Sequence, residues 1–141
     1  MTGDTAVHAT CVALDGKAVL IRGASGSGKS ATGLMLMGMG CRLVADDRTL
    51  LHLEGTKVIA SCPAPIHGTI EARGIGLLNA DHLDMAEVVL VTDLDQKTGE
   101  RLPDRCFVTL LGTEIPLIGH IQGPHLAAAI LQILKAGWSD K

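Results

Sequence analysis

Gly23-Ala24-Ser25-Gly26-Ser27-Gly28-Lys29-Ser30 has the spacing G-x-x-x-x-G-K-[ST]. Small residues let consecutive backbone N–H groups converge on phosphate oxygens, and a helix opening at Lys29 points its positive end at the same place. Lys29 is expected to contact the β- and γ-phosphates and the Ser30 hydroxyl to ligate Mg²⁺, so ATP and magnesium are the expected cofactors. The flanks agree with this reading. Ala18-Val19-Leu20-Ile21 is a short apolar run that suits a buried strand entering a tight turn at Gly23. From Lys29 onward, Leu34, Met35, Met37 and Met39 lie in a stretch free of Pro, which predicts a helix closing at Gly38 or Gly40.

Outward from this strand–loop–helix, Leu43-Val44-Ala45 reads as a second buried strand that delivers Asp46 and Asp47 at its end. Residues 49–54 and 57–60 flank Gly55 and predict a hairpin. Residues 61–80 are rich in Pro and Gly and read as an irregular, exposed segment. Val88–Val91 and Phe107–Leu111 are further strands, and His125–Leu134 a closing helix. Few helices separate these strands, which predicts an α/β domain with a mixed sheet over a fully alternating doubly wound one. At 141 residues, 47% of them hydrophobic, the chain can bury one core, and residues 1–141 are expected to form a single domain.

Several function classes are disfavoured. A net charge of −3 lacks the basic surplus of a nucleic-acid backbone binder, and Phe107 and Trp138 with no Tyr give no base-stacking platform. No apolar run approaches the roughly 20 residues that span a bilayer, and Met1-Thr2-Gly3-Asp4 does not look like a signal peptide. Cys11, Cys41, Cys62 and Cys106 form no C-x-x-C pair and read as buried reduced thiols, so a cytoplasmic protein is expected.

A phosphate-binding loop needs an acidic partner for the metal, and two candidates exist. Val88-Val89-Leu90-Val91-Thr92-Asp93 has the generic shape of four apolar residues and then an acid. Leu43-Val44-Ala45-Asp46-Asp47 is shorter but brings two adjacent carboxylates, which only a bend at the strand end would aim at one site. Pattern alone favours neither.

The order of three further features bears on the choice: His8 before the loop, Asp46-Asp47 after the first helix, and then Glu71-Ala72-Arg73-Gly74-Ile75-Gly76. This order resembles the catalytic domain of HPr kinase/phosphorylase, whose signature reads E-I-R-G-L-G, from His8 to about Pro116. The resemblance implies a P-loop variant related to phosphoenolpyruvate carboxykinases and an ATP- and Mg-dependent serine kinase. Its substrate would be an HPr-like phosphocarrier of a phosphotransferase system. By the same resemblance Asp47 would be the general base for the substrate serine, with Asp46 and Glu71 on the metal beside Ser30. Arg73 would stabilise transferred charge, His8 would match an active-site histidine, and Arg101 in Glu100-Arg101-Leu102 a catalytic arginine. Asp93 then becomes a strand-end or loop acid. Family members form hexamers, so a homo-oligomer is expected by analogy.

The departures are specific. The N-terminal domain of long family members is absent from this sequence, and Ala31 stands where the family has Glu. Past Pro116, Gly119-His120-Ile121-Gln122-Gly123-Pro124-His125 replaces an arginine-containing family loop associated with the phosphorylase reaction. That loss predicts kinase activity in excess of phosphorylase activity. His52, His67, His82, His120 and His125 have no metal-type spacing and read as surface residues. Two rivals remain at this stage: a small-molecule kinase or carboxykinase-like enzyme, and a non-catalytic ATP-binding switch.

Overall fold

A computed structural model of the chain describes residues 5–64, 67–98, 103–121 and 123–140. The strand–loop–helix predicted around Lys29 is its centre. Strand β3 (Lys17–Arg22) runs into the loop, and helix α1 (Lys29–Gly38) leaves it. Gly28 precedes the helix at φ 101, a backbone shape costly for other residues, and no side chain caps the first turn. The first amides of α1 are therefore left for another acceptor.

Among the described residues, nine strands form one sheet and two more form a hairpin. Strand β2 (Ala9–Leu14) pairs antiparallel with β3 on one side and with β4 (Arg42–Ala45) on the other. Strand β9 (Met85–Thr98) pairs parallel with β3 and, along its opposite edge, parallel with β11 (Thr113–Ile121). At its start β9 meets β6 (Lys57–Ser61), which forms the predicted hairpin with β5 (Thr49–Glu54). Strands β1 (Thr5–Val7) and β10 (Cys106–Leu110) pair antiparallel with β5 and β11. The sheet is mixed, as composition and pattern predicted.

Period-two alternation divides the core between the two faces. Ala9, Cys11 and Ala13 of β2 and Ala18 and Leu20 of β3 pack with Leu51, Val58, Ala60 and Ile115 on the helix-free face. Val12, Val19 and Ile21 face the other way and meet Leu36 of α1 and Leu126, Ile130 and Leu134 of α2 (Leu126–Ala136). Each such aliphatic side chain, once buried, contributes about 1.5–3 kcal/mol of transfer free energy. No described helix is long and apolar enough to cross a membrane.

Five expectations need correction. Residues 61–80 are not irregular throughout, because β7 (Thr69–Ala72) and β8 (Gly76–Asn79) form an antiparallel hairpin that buries Ile70 against α1. Asp93 lies within β9 rather than at a strand end, since parallel pairing with β11 carries that strand on to Thr98 after its pairing with β3 stops at Asp93. Pro116–Ile121 belongs to β11 rather than to a loop. His8 sits in the bend between β1 and β2, not in a strand. Cys106 is exposed and Cys62 only half-buried, whereas Cys11 and Cys41 are buried free thiols.

Candidate active site

Three elements converge on one carboxylate. Asp46 follows β4 directly and is 8% exposed. The Ser30 hydroxyl, in the first turn of α1, donates to its Oδ1 at 2.6 Å. The Thr10 hydroxyl of β2 donates to the same oxygen at 2.8 Å, and the Glu71 N–H of β7 donates to Oδ2 at 2.9 Å. The β7–β8 hairpin thus reaches the site through its backbone. Thr10 carries no recognisable sequence signal beyond being polar in a strand that buries both faces.

Asp47 turns the other way. Its φ of 68 puts it in the left-handed region, uncommon outside glycine but tolerated by Asp, and such outliers cluster at functional sites. This is the strand-end bend that two adjacent acids at one site require. The Asp47 carboxylate is exposed and lies 2.6 Å from His8 Nε2. The bend is held from behind, because Ala9 N–H donates to the Asp47 carbonyl and Thr49 Oγ1 donates to the Ala9 carbonyl.

The loop itself is held by charged groups. Lys29 is 6% exposed, and its ammonium donates to the carbonyls of Gly23 and Ala24 at 3.0 and 3.1 Å. The Ala24 N–H donates to Asp95 Oδ2 at 2.9 Å. Ser27 Oγ is buried without a hydrogen-bond partner among the described residues, and a β-carbon on Gly23 would lie 2.6 Å from it.

An open cleft of about 710 Å³ runs past these groups, lined by the loop and helix start, by Asp46, Asp47 and Arg48, and by Glu71, Arg73, Ile75 and Leu77 of the hairpin. Its volume lies within the range of small-ligand sites. Ile75 and Leu77 are 77% and 73% exposed at its rim. The structure therefore brings Ser30, Asp46, Asp47, Glu71 and Arg73 together, with His8 joined through Asp47. Asp93, the rival acid, does not line the cleft. Its Oδ2 accepts from Arg22 Nε at 3.1 Å and its Oδ1 from the Asp95 N–H. Arg101 lies outside the described residues. Sequence reasoning missed Thr10, Arg48, Asp95 and also Cys62, whose thiol is pushed up by burial and secondarily by the Asp46 charge.

The donor set suits the expected ligands. Ser30 Oγ and the Asp46 carboxylate offer hard oxygens of the kind Mg²⁺ takes, beside a helix start whose amides lack a side-chain cap.

Comparison with known proteins gives a consistent picture. The profile of the HPr serine kinase C-terminal domain matches residues 1–102. An HPr kinase/phosphorylase from Geobacillus kaustophilus is 39% identical over 125 residues, covering 79% of this chain and 40% of that protein. One from Streptococcus salivarius is 43% identical over 86 residues, covering 60% of this chain and 28% of that protein. The chain thus spans well under half the length of these curated relatives. The solved HPr(Ser) kinase/phosphatase from Coxiella burnetii superposes with a TM-score of 0.78 at 28% identity, covering 93% of this chain and 88% of that one. The structural likeness therefore extends past residue 102 into β11 and α2.

Proposed function

Because the chain belongs to the HPr serine kinase C-terminal domain family, we propose that it transfers the γ-phosphoryl group of ATP to a serine of an HPr-like phosphocarrier. The observation that supports this most directly is the convergence of Ser30, Asp46, Asp47 and Arg73 on one cleft beside a phosphate-binding loop.

In this reading the loop amides and the first turn of α1 hold the β- and γ-phosphates. Lys29 exchanges the Gly23 and Ala24 carbonyls for phosphate oxygens. Ser30, Asp46 and Glu71 hold Mg²⁺, which when bound neutralises charge on the phosphates. Asp47, exposed at the cleft and oriented by His8, accepts the proton of the substrate serine hydroxyl. As that proton leaves, the serine oxygen bonds to the γ-phosphorus and the bond from the γ-phosphorus to its bridging oxygen breaks, releasing ADP. Arg73 stands where it can meet the charge of the transferring group. The serine must enter from the open side, past Ile75 and Leu77, and an open cleft suits a protein substrate.

The test is incubation with labelled ATP, Mg²⁺ and a purified HPr-like protein, followed by mapping of the modified residue. Stable label on one serine, lost with Lys29→Ala, is the expected result. Label that never leaves the nucleotide, in wild type at saturating magnesium, would refute the assignment.

A further inference from the structure

Away from the cleft, the β7–β8 hairpin returns the chain so that the segment before β9 lies beside the segment before β7. Gly68 carbonyl accepts from Ala80 N–H at 3.0 Å, and His82 forms a parallel bridge with Leu43. Two histidines that sequence spacing left unrelated, His67 and His82, are brought together with their ring centroids 4.0 Å apart, edge to face. His67 Nε2 lies 3.3 Å from Asp84 Oδ1.

We propose that His67, His82 and Asp84 form a binding site for a divalent transition metal, Zn²⁺ above all, separate from the nucleotide centre. One donor atom from each residue lies within 4.8 Å of the other two, and no other such trio occurs among the described residues. Zinc–nitrogen and zinc–oxygen bonds of about 2.0–2.2 Å place two ligands of a tetrahedral ion roughly 3.4 Å apart. The separation of His67 Nε2 and Asp84 Oδ1, 3.3 Å, already has that value. The third donor lies within 4.8 Å of both, so its separations need to shorten by at most about 1.4 Å to reach the same spacing.

His82 has the outer support a ligand imidazole needs. Its Nδ1 lies 3.3 Å from the Ala80 carbonyl, and donation there fixes the tautomer that leaves the Nε2 lone pair for a metal. Gly68 makes room for the ring, since a β-carbon at that position would lie 3.0 Å from Nδ1. Arg42 donates to the His82 carbonyl at 3.0 Å and holds the backbone from the other side. A plain ion pair between His67 and the exposed Asp84 explains neither the second imidazole nor its support.

Two nitrogens and one carboxylate oxygen favour Zn²⁺, Cu²⁺ or Ni²⁺ over Mg²⁺, which prefers oxygen throughout. Three protein ligands leave a fourth position for water. The ion would tie the start of β7 to the start of β9, and β7 is the strand whose Glu71 N–H supports Asp46.

The test is titration of the whole chain with ZnCl₂ under saturating Mg²⁺ and ATP, which keeps the nucleotide centre occupied. Uptake near one ion per chain is expected, together with a rise in melting temperature. With Co²⁺ the visible absorption of a low-symmetry site should appear. His67→Gln and Asp84→Asn, both at exposed positions, should each weaken Zn²⁺ binding by at least about 10–100-fold, the range known even for outer-shell partners. Their metal-free melting temperatures should match wild type. Asp46→Asn and Cys62→Ser should bind Zn²⁺ as wild type does. Absence of stoichiometric uptake, uptake that survives the His67→Gln/Asp84→Asn double variant, or uptake lost in Asp46→Asn would each overturn the proposal.

Discussion

The β-carbon that Gly33 lacks would lie 2.9 Å from Thr10 Cγ2. Thr10 is fully buried, and its hydroxyl is one of the two that share Asp46 Oδ1. A glycine in the middle of α1 is thus linked to the carboxylate beside the loop. Alanine at position 33 gains about 1 kcal/mol of helix propensity. Overpacking against a side chain with nowhere to go costs about 1–3 kcal/mol, so the clash wins. Gly33→Ala is expected to lower the melting temperature and weaken nucleotide binding together. A variant more stable than wild type would show that the helix can shift away freely.

Lys29→Ala should abolish detectable nucleotide binding in calorimetry. Each lost charge-assisted hydrogen bond is worth about 1.5–3 kcal/mol, or more than tenfold in affinity. The same change frees the Gly23 and Ala24 carbonyls, so the empty loop should also become more susceptible to proteolysis. Unchanged affinity would remove the phosphate-binding role.

Asp47→Asn keeps the shape but not the basicity. Phosphotransfer should fall by about 10²–10⁴-fold, the usual range for loss of a general base, with nucleotide affinity retained. His8→Gln should cost less, and the double variant should cost no more than Asp47→Asn alone, because His8 acts through Asp47. If Asp93→Asn is the inactive variant instead, the roles of the two acids are reversed.

Cys62 offers a readout of the Asp46 charge without any assay of activity. Burial, and after it the Asp46 carboxylate, raise the thiol above its ordinary value of about 8.5, so little thiolate exists at pH 8. Alkylation of Cys62 should be slow there and accelerate as pH rises, while exposed Cys106 reacts first. Asp46→Asn removes the negative neighbour and should speed Cys62 alkylation a few-fold at fixed pH, measured by peptide mass. An equal rate in both proteins would mean that burial alone protects the thiol.

Much of this was readable in advance because it is local. The run from Ala18 to Gly38 needs only a short apolar strand, a glycine-rich turn and a Pro-free helix. Asp46 and Asp47 follow directly from the strand that ends at Ala45. The unreadable parts depend on distant partners. Gly68, Gly74 and Gly76 punctuate a hairpin whose strands exist because Ile70 finds a place under α1. Pro116 and Gly119 argue against a strand, yet pairing to β10 at Pro116 and to β9 from Leu117 onward supplies one. In the same way Asp93 reads as a strand-end or loop acid, but pairing with β11 carries β9 on to Thr98. Thr10 became a site residue only when the fold set it against Asp46, and the His67–His82–Asp84 trio exists only because the hairpin doubles back.

The missing arginines between Pro116 and His125 predict an asymmetry of reaction. Reversal brings inorganic phosphate to a phosphoserine dianion, which needs dense positive charge, and residues 116–125 contain neither Arg nor Lys. Among the described residues, none lining the cleft comes from this stretch. Forward transfer should therefore clearly exceed phosphate-dependent release of pyrophosphate from a phosphoserine-loaded carrier under equal conditions. Comparable rates would show that the arginines are dispensable.

Ala24 is gripped on both sides by opposite charges, its N–H by Asp95 and its carbonyl by Lys29. In the empty loop the entrance is thereby pinned to β9 on one side and to its own helix on the other, and the tie to β9 stays when Lys29 turns to phosphate. Adjustment to an arriving anion is left to Ser25–Gly28, where Gly26 and Gly28 have φ values of 83 and 101 and need no side-chain clearance. The loop therefore acts as a stiff hinge plate with one soft edge, and because the Asp95 anchor is exposed to solvent, salt should loosen the plate before it loosens the edge.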